Sequence, residues 1–231
     1  MSERISNILN NLPELFLSIP KSVYFNFKVL PFKEAIKIPF VISYRCKIKG
    51  INKRNFIVNS SELKFAQSRI GIGGSHIDRG EKNKSLLKII GNGKIIINGK
   101  VGFSKGIVLY SNNGIITLGD NVRTNFSTTI SCEGGQVSIG NEVAMGWHVT
   151  IKNSDGHWVI ENGKNKRKFG DITIGNHSWI CSHVDILKNV VIGNDNVIAY
   201  RSLVVNGNGE NNVLIAGSPA KIIRTNINWV E

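Results

Sequence analysis

The sequence predicts an all-β chain wound as a three-sided parallel solenoid, and three observations carry that prediction. Aliphatic residues recur every six positions at Ile174, Ile180, Ile186, Ile192, Ile198 and Val204. That spacing fits neither the period of about 3.6 of a helix nor the period of about 2 of a lone strand. Small or β-branched residues follow four positions later at Ser178, Val184, Val190 and Ser202. The same register also continues upstream as far as Ile97. A period of six suits short strands joined by tight corners, each strand sending one side chain inward. Three strands close a coil, and stacked coils bury a continuous core.

The coils can be read one by one. First-face anchors fall at Ile97, Leu118, Ile139, Ile174 and Ile192, and second-face anchors at Phe103, Thr124, Met145, Ile180 and Ile198. Third-face anchors fall at Leu109, Ile130, Ile151, Ile186 and Val204. Ile174 to Ile192 is 18 residues, a minimal three-sided coil, whereas Ile97 to Leu118 and Leu118 to Ile139 are 21 each. The extra residues sit at one corner both times, around Asn112–Gly114 and Glu133–Gly135, where glycine permits turn conformations. Ile139 to Ile174 is 35 residues, which predicts a loop over residues 152–171 projecting from the prism.

The two ends read differently. Residues 1–60 form a mixed cap: Ile5, Ile8, Leu9 and Leu12 have helical spacing that Pro13 is expected to end. Prolines 20, 31 and 39 then punctuate an aromatic stretch, and runs from Lys47 to Ile72 read as strands leading into the solenoid over residues 61–220. A solenoid needs its open end covered. The segment is therefore assigned to capping. Docking on a membrane surface is not favoured, because prolines interrupt the apolar stripe. Residues 221–231 form a tail.

Composition narrows the function classes. At 231 residues with 19% charged and 41% hydrophobic residues, the chain can bury a full core. Cys46, Cys132 and Cys181 form neither a disulfide framework nor a metal clip, which suits a cytoplasmic protein. No stretch reaches the roughly 20 apolar residues of a membrane span. The formal charge of +13 reads as a solvated basic surface or as attraction to phosphate. Outside one short cluster the lysines are spread singly without interleaved aromatics, which gives no nucleic-acid site.

The projecting loop carries Asn153-Ser154-Asp155-Gly156-His157. Loops on rigid scaffolds commonly hold catalytic groups. An imidazole there can take a proton from a hydroxyl, a role worth roughly 10²–10⁴-fold in rate. Asp155 stands two residues before His157, where a carboxylate could orient the ring. His148 and His183 hold equivalent positions after second-face anchors, so adjacent coils would stack them about 4.8 Å apart. Zinc catalysis requires three ligands and an open position. With His177 on another corner, no metal site is assigned. The run Lys164–Lys168 reads as a solvated loop tip or as a phosphate contact.

The hexapeptide period, the SDGH loop, IGNHSWI at 174–180 and AGSPAKIIR at 216–224 together resemble the left-handed β-helix acyltransferases. The resemblance is to bacterial sugar and polysaccharide O-acetyltransferases and covers roughly residues 70–229. It implies left-handed coiling, acetyl-CoA as donor, and a homotrimer with sites between subunits. By motif, His157 matches the family's catalytic base, Trp179 an outward aromatic shielding the acetyl-CoA end, and Ser182 a backbone N–H donor to the thioester oxygen. Tyr200 and Arg201 stand where relatives carry small residues along the pantetheine groove. Val205-Asn206 replaces a Thr-Lys pair, so Lys221 or Arg201 is left to meet the CoA phosphates. Trp147, His148 and Asn153 are assigned to the acceptor.

These readings converge on an acetyl-CoA-dependent O-acetyltransferase acting on a sugar hydroxyl of a cell-surface polysaccharide or its precursor. Transfer is direct, with no acyl-enzyme on Cys181. Two alternatives remain open: N-acetylation of a nucleotide-linked amino sugar, and a non-catalytic solenoid that serves as scaffold or polysaccharide-binding subunit.

Overall fold

Inward aliphatic side chains on a coil can be shielded only by the coils on either side, so the chain stacks. The computed structural model describes residues 2–60, 62–73, 83–207 and 209–230, with side chains from residue 12 onward. Two helices come first, α1 (Ser2–Val29) and α2 (Phe32–Ala35). The first two coils are β1 (Phe40–Ile42), β2 (Lys47–Lys49), β3 (Phe56–Val58) and β4 (Ser68–Ile70), β5 (Leu86–Ile90), β6 (Lys94–Ile97). Then come β7 (Val101–Phe103), β8 (Val108–Asn112), β9 (Ile115–Leu118) and β10 (Val122–Thr124), β11 (Thr129–Glu133), β12 (Gln136–Ile139). The fifth coil is β13 (Ala144–Met145), β14 (Thr150–Lys152) and β17 (Ile172–Ile174), interrupted by the hairpin β15 (Ile160–Glu161) and β16 (Lys164–Asn165). A sixth coil follows, β18 (Trp179–Ile180), β19 (Asp185–Ile186) and β20 (Val190–Ile192), and the prism ends with β21 (Val197–Ile198), β22 (Leu203–Val204), β23 (Leu214–Gly217) and β24 (Ala220–Arg224).

Three parallel sheets of nine, seven and six strands form the faces of the prism. Within these three sheets, among the described residues, β23 and β24 alone pair antiparallel. The anticipated register holds at every anchor. Ile97, Leu118, Ile139, Ile174 and Ile192 pair in series on one face. Phe103, Thr124, Met145, Ile180 and Ile198 do so on the second, and Leu109, Ile130, Ile151, Ile186 and Val204 on the third. Most of these anchors are fully buried.

Two corner columns explain the residues between anchors. Ser127, His148, His183 and Arg201 occupy one corner of successive coils, all with φ between 54° and 59°. This left-handed region is tolerated by non-glycine residues only at single positions such as turns. At another corner the side-chain oxygen of each Asn meets the backbone N–H one coil back: Asn141 to Asp120, Asn176 to Asn141, and Asn194 to Asn176 at 2.8 Å each. The recurring Gly-Asn of the repeat is therefore a hydrogen-bonded ladder.

The solenoid begins earlier than the boundary at residue 61 anticipated from sequence. Ile42 pairs with Ile70, and Ile70 with Phe103, while Ile48 pairs with Leu87 and Val58 with Ile97. The capping segment thus contributes a whole coil and only residues before Phe40 cover it. A second excursion separates β4 from β5, and residues 74–82 within it lie outside the described residues.

The helix α1 also runs through Pro13 and Pro20, contrary to the expected stop. Its tertiary contacts offset what the prolines remove. Ser18, Ser22 and Asn26 repeat every four residues and so share one face. Asn26 Oδ1 accepts from Phe40 N and Asn26 Nδ2 donates to Phe40 O, at 3.1 and 2.7 Å. Ser22 Oγ accepts from Ile42 N at 2.9 Å and Ser18 Oγ from Tyr44 N at 3.0 Å. The free edge of β1 is satisfied by side chains, as an exposed strand edge requires. Beneath it, Phe25, Phe40 and Phe56 meet edge-on with centroids 5.2–6.0 Å apart, plugging the prism. The side chains of Ile5, Ile8 and Leu9 lie outside the described residues.

Candidate active site

The loop between β14 and β17 is built rather than slack. Its two ends are tied by a bridge between Ser154 and Phe169, and its tip is the β15–β16 hairpin with Asn162 and Gly163 in left-handed conformations, a favoured hairpin turn. Phe169 packs so closely on Gly134 that a Cβ there would lie 2.8 Å from the ring. Gly134 is thus required for the loop's return. Lys166 pairs with Glu161 across the hairpin, and Arg167 lies over the Phe169 ring. Much of the basic run at 164–168 therefore holds the loop together.

At the root, Asn153 is fully buried. Its side chain accepts from Glu133 N at 2.8 Å and donates to Gly134 O at 2.7 Å. This corrects its assignment to the acceptor: both ends of the carboxamide are committed to anchoring the loop. Asp155 is likewise not engaged with His157. Its carboxylate pairs with Lys188 Nζ, which also donates to Arg167 O. Lys188 lies two residues past the anchor Ile186, level with Asn153 one coil away. The hexad register alone sets Lys188 beside the root of the loop.

Gly156, with φ 80° and open space around it, turns the chain out of the loop, and Gly156 N donates to Ser154 Oγ at 3.1 Å. His157 follows, exposed. Among the described residues no hydrogen bond, ion pair or ring contact engages its imidazole, and none joins it to Trp179 or Ser182.

Trp179 points outward from β18 and is 42% exposed beside buried Ile180. The tail, with no periodic signal to place it, folds back onto this face. Trp229 stacks on His177 with centroids 4.4 Å apart and an interplanar angle of 8°, and lies 6.0 Å from Trp179. Its Nε1 donates to His177 O at 2.9 Å, and His177 Nδ1 is 2.9 Å from Asp195 Oδ1. An aromatic wall of Trp179 and Trp229 results, which sequence reading missed.

The other corner of the same face gathers four more of the anticipated residues. His148 and His183 stack with centroids 5.0 Å apart. Tyr200 meets His183 edge-on at 5.4 Å and carries Arg201 over its ring. Among the described residues no three His, Cys, Asp or Glu side chains group as metal ligands. Ser182 is buried, and its Oγ accepts from Trp147 N at 3.1 Å. Its own amide N–H meets no acceptor among the described residues. Lys221 stands apart from this corner, in a cavity of about 330 Å³ shared with Val191, Asn206 and Glu210. Burial raises the Cys181 thiol above its ordinary value, so it is protonated near neutral pH and a poor nucleophile.

No protein-family model matches the chain. It is 32% identical over 228 residues, 98% of this chain and 96% of the relative, to an uncharacterized 24.8 kDa protein in the cps region of Klebsiella pneumoniae. It is 36% identical over 152 residues, 65% of this chain and 71% of the relative, to the galactoside O-acetyltransferase of Escherichia coli. Among solved structures, the polysialic-acid-specific acetyltransferase NeuO matches with a TM-score of 0.53 at 21% identity, over 84% of this chain and 89% of that one, a likeness of fold. With its three-sided prism, its projecting loop and most of the galactoside enzyme's length matched, the chain belongs to the left-handed β-helix, hexapeptide-repeat acyltransferases.

Proposed function

We propose that this acyltransferase moves an acetyl group from acetyl-CoA to a sugar hydroxyl of a cell-surface polysaccharide or its precursor, with His157 as general base. The observation that carries the reading is an exposed imidazole, unengaged among the described residues, on a loop braced by Asn153, Phe169 and Lys188. A buried, braced root holds a catalytic group in place while leaving its ring free for substrate. The imidazole takes the hydroxyl proton as the oxygen attacks the thioester carbonyl. The oxyanion that forms is met by the free N–H of Ser182, whose geometry is fixed before reaction. The C–S bond then breaks, and the imidazolium returns its proton to the leaving sulfur. Products are the O-acetyl sugar and the free thiol of CoA.

Trp179 and Trp229 form the wall for the acetyl end of the donor. Trp147 and His148 face the acceptor, while Tyr200, Arg201 or Lys221 takes up the pantetheine arm and phosphates. Among the described residues no hydrogen bond or ring contact joins His157 to Trp179, and Trp158, Val159 and Ile160 beside it are exposed. Both features support a homotrimer in which the loop of one subunit completes the site of the next.

The test is acceptor-dependent release of CoA thiol from acetyl-CoA across sugars, nucleotide sugars and oligosaccharides. The expected product carries an ester that mild base cleaves. A base-resistant amide on an amino sugar would replace this reading with N-acetylation. No release with any acceptor would leave a non-catalytic solenoid.

A further inference from the structure

The cap spends only one face of α1 on the prism. On the outside, Phe16 is 74% exposed, Phe32 on α2 is 69% and Phe65 is 77%. Between Phe16 and Phe65 runs a groove of about 570 Å³ lined by Leu12, Phe16, Ile19, Val23, Phe65 and Arg69, and Phe32 meets Phe27 edge-on nearby on the cap. Contiguous exposed apolar surface of this kind marks an interaction site. The prolines that were expected to break the stripe do not, because the helix continues through both.

Charge decides what meets it. Residues 1–60 carry ten Lys or Arg and three Asp or Glu, a net +7 of the chain's total of +13 in about a quarter of its length. No carboxylate lies between Glu34 and Glu62. Lys28, Lys53 and Arg54 converge with Asn52 on a concavity of about 370 Å³ at the same end of the prism. A second copy of this face would bring like charges together. Nucleic acid would leave the phenylalanines and aliphatics in water. A surface that is both anionic and apolar beneath its charge satisfies both features. No described helix is long and apolar enough to cross a bilayer, so α1 would lie along it.

We propose that the outer face of the N-terminal cap docks on an anionic phospholipid membrane surface. Phe16, Phe32 and Phe65 enter the headgroup–acyl boundary, and Lys28, Lys53 and Arg54 meet lipid phosphates. This goes beyond the transferase reading and does not rest on it. The docked protein would meet acceptors assembled on lipid carriers at that surface.

The experiment is co-sedimentation of the full chain with vesicles of equal parts phosphatidylcholine and phosphatidylglycerol, and with phosphatidylcholine alone, at low salt. Two variants, Phe16→Ser with Phe65→Ser and Lys53→Glu with Arg54→Glu, change only exposed side chains, and circular dichroism checks their fold. The intact protein should pellet with the anionic vesicles and not with the neutral ones. Each variant should reduce its partition by about tenfold while thiol release with a soluble acceptor is unchanged. Intact protein that stays in the supernatant, or folded variants that pellet equally well, would overturn the proposal. Self-association without vesicles that both variants abolish would overturn it in favour of a second copy.

Discussion

The two ends of the prism face the same problem and solve it with different chemistry. At the N-terminal end the open edge of β1 is met by side chains, Ser18, Ser22 and Asn26 of α1. At the C-terminal end β24 folds back antiparallel onto β23, with Ile215 opposite Ile222 and Ala216 opposite Lys221, so main chain meets main chain. A side-chain cap depends on the identity of a few residues, whereas a backbone cap tolerates almost any residue that keeps the strand. The difference also shapes the outer surfaces. A helix laid across an edge has a far side, and here that side is apolar and basic. A strand turned back leaves its tail free to carry Trp229 to the Trp179 wall.

That contrast can be broken by substitution. Replacing Asn26 with Leu keeps the volume but strands the N–H and C=O of buried Phe40. Each lost partner costs about 1–3 kcal/mol, so a large fall in melting temperature is expected. Lys221→Ala, in the exposed backbone cap, should change stability by less than about 0.5 kcal/mol. Equal losses from the two would show that the ends are not differently built. Trp229→Ala should sharpen the comparison further: calorimetry should report weaker acetyl-CoA binding, with a smaller stability loss than at Asn26. Unchanged affinity would confine this Trp to packing on His177. The smallest effect is expected at Cys181. Because burial raises its thiol pKa, the thiolate fraction at neutral pH is small and grows only as pH rises. Brief treatment with iodoacetamide at neutral pH should leave turnover unchanged, and rapid inactivation there would argue for an activated thiol.

What the sequence disclosed follows from what its periodicity could encode. From Ile97 to Val204 every inward position is set by the same hexad, and all the anchors fell into register. The first two coils hid because Ile42, Ile70 and Phe103 are separated by long excursions, which break the count without breaking the stacking. The full length of α1 hid because local propensity at Pro13 argues for a stop, while the hydrogen bonds from Ser18, Ser22 and Asn26 to β1 are tertiary. In the site, outward Trp179 and the stacked His148 and His183 were legible, since corner and face positions follow from register. The burial of Asn153, the pairing of Asp155 with Lys188 and the return of Trp229 were not. They depend on how two irregular segments fold against the prism, and no period describes those.

The central claim is that His157 performs the proton transfer, and steady-state kinetics of His157→Ala test it most directly. With a competent acceptor in hand, the account predicts a fall in kcat of about 10²-fold or more. Acetyl-CoA affinity and melting temperature should stay near those of the unaltered protein, because the exposed ring supports neither. An unchanged kcat would contradict it and move the base elsewhere.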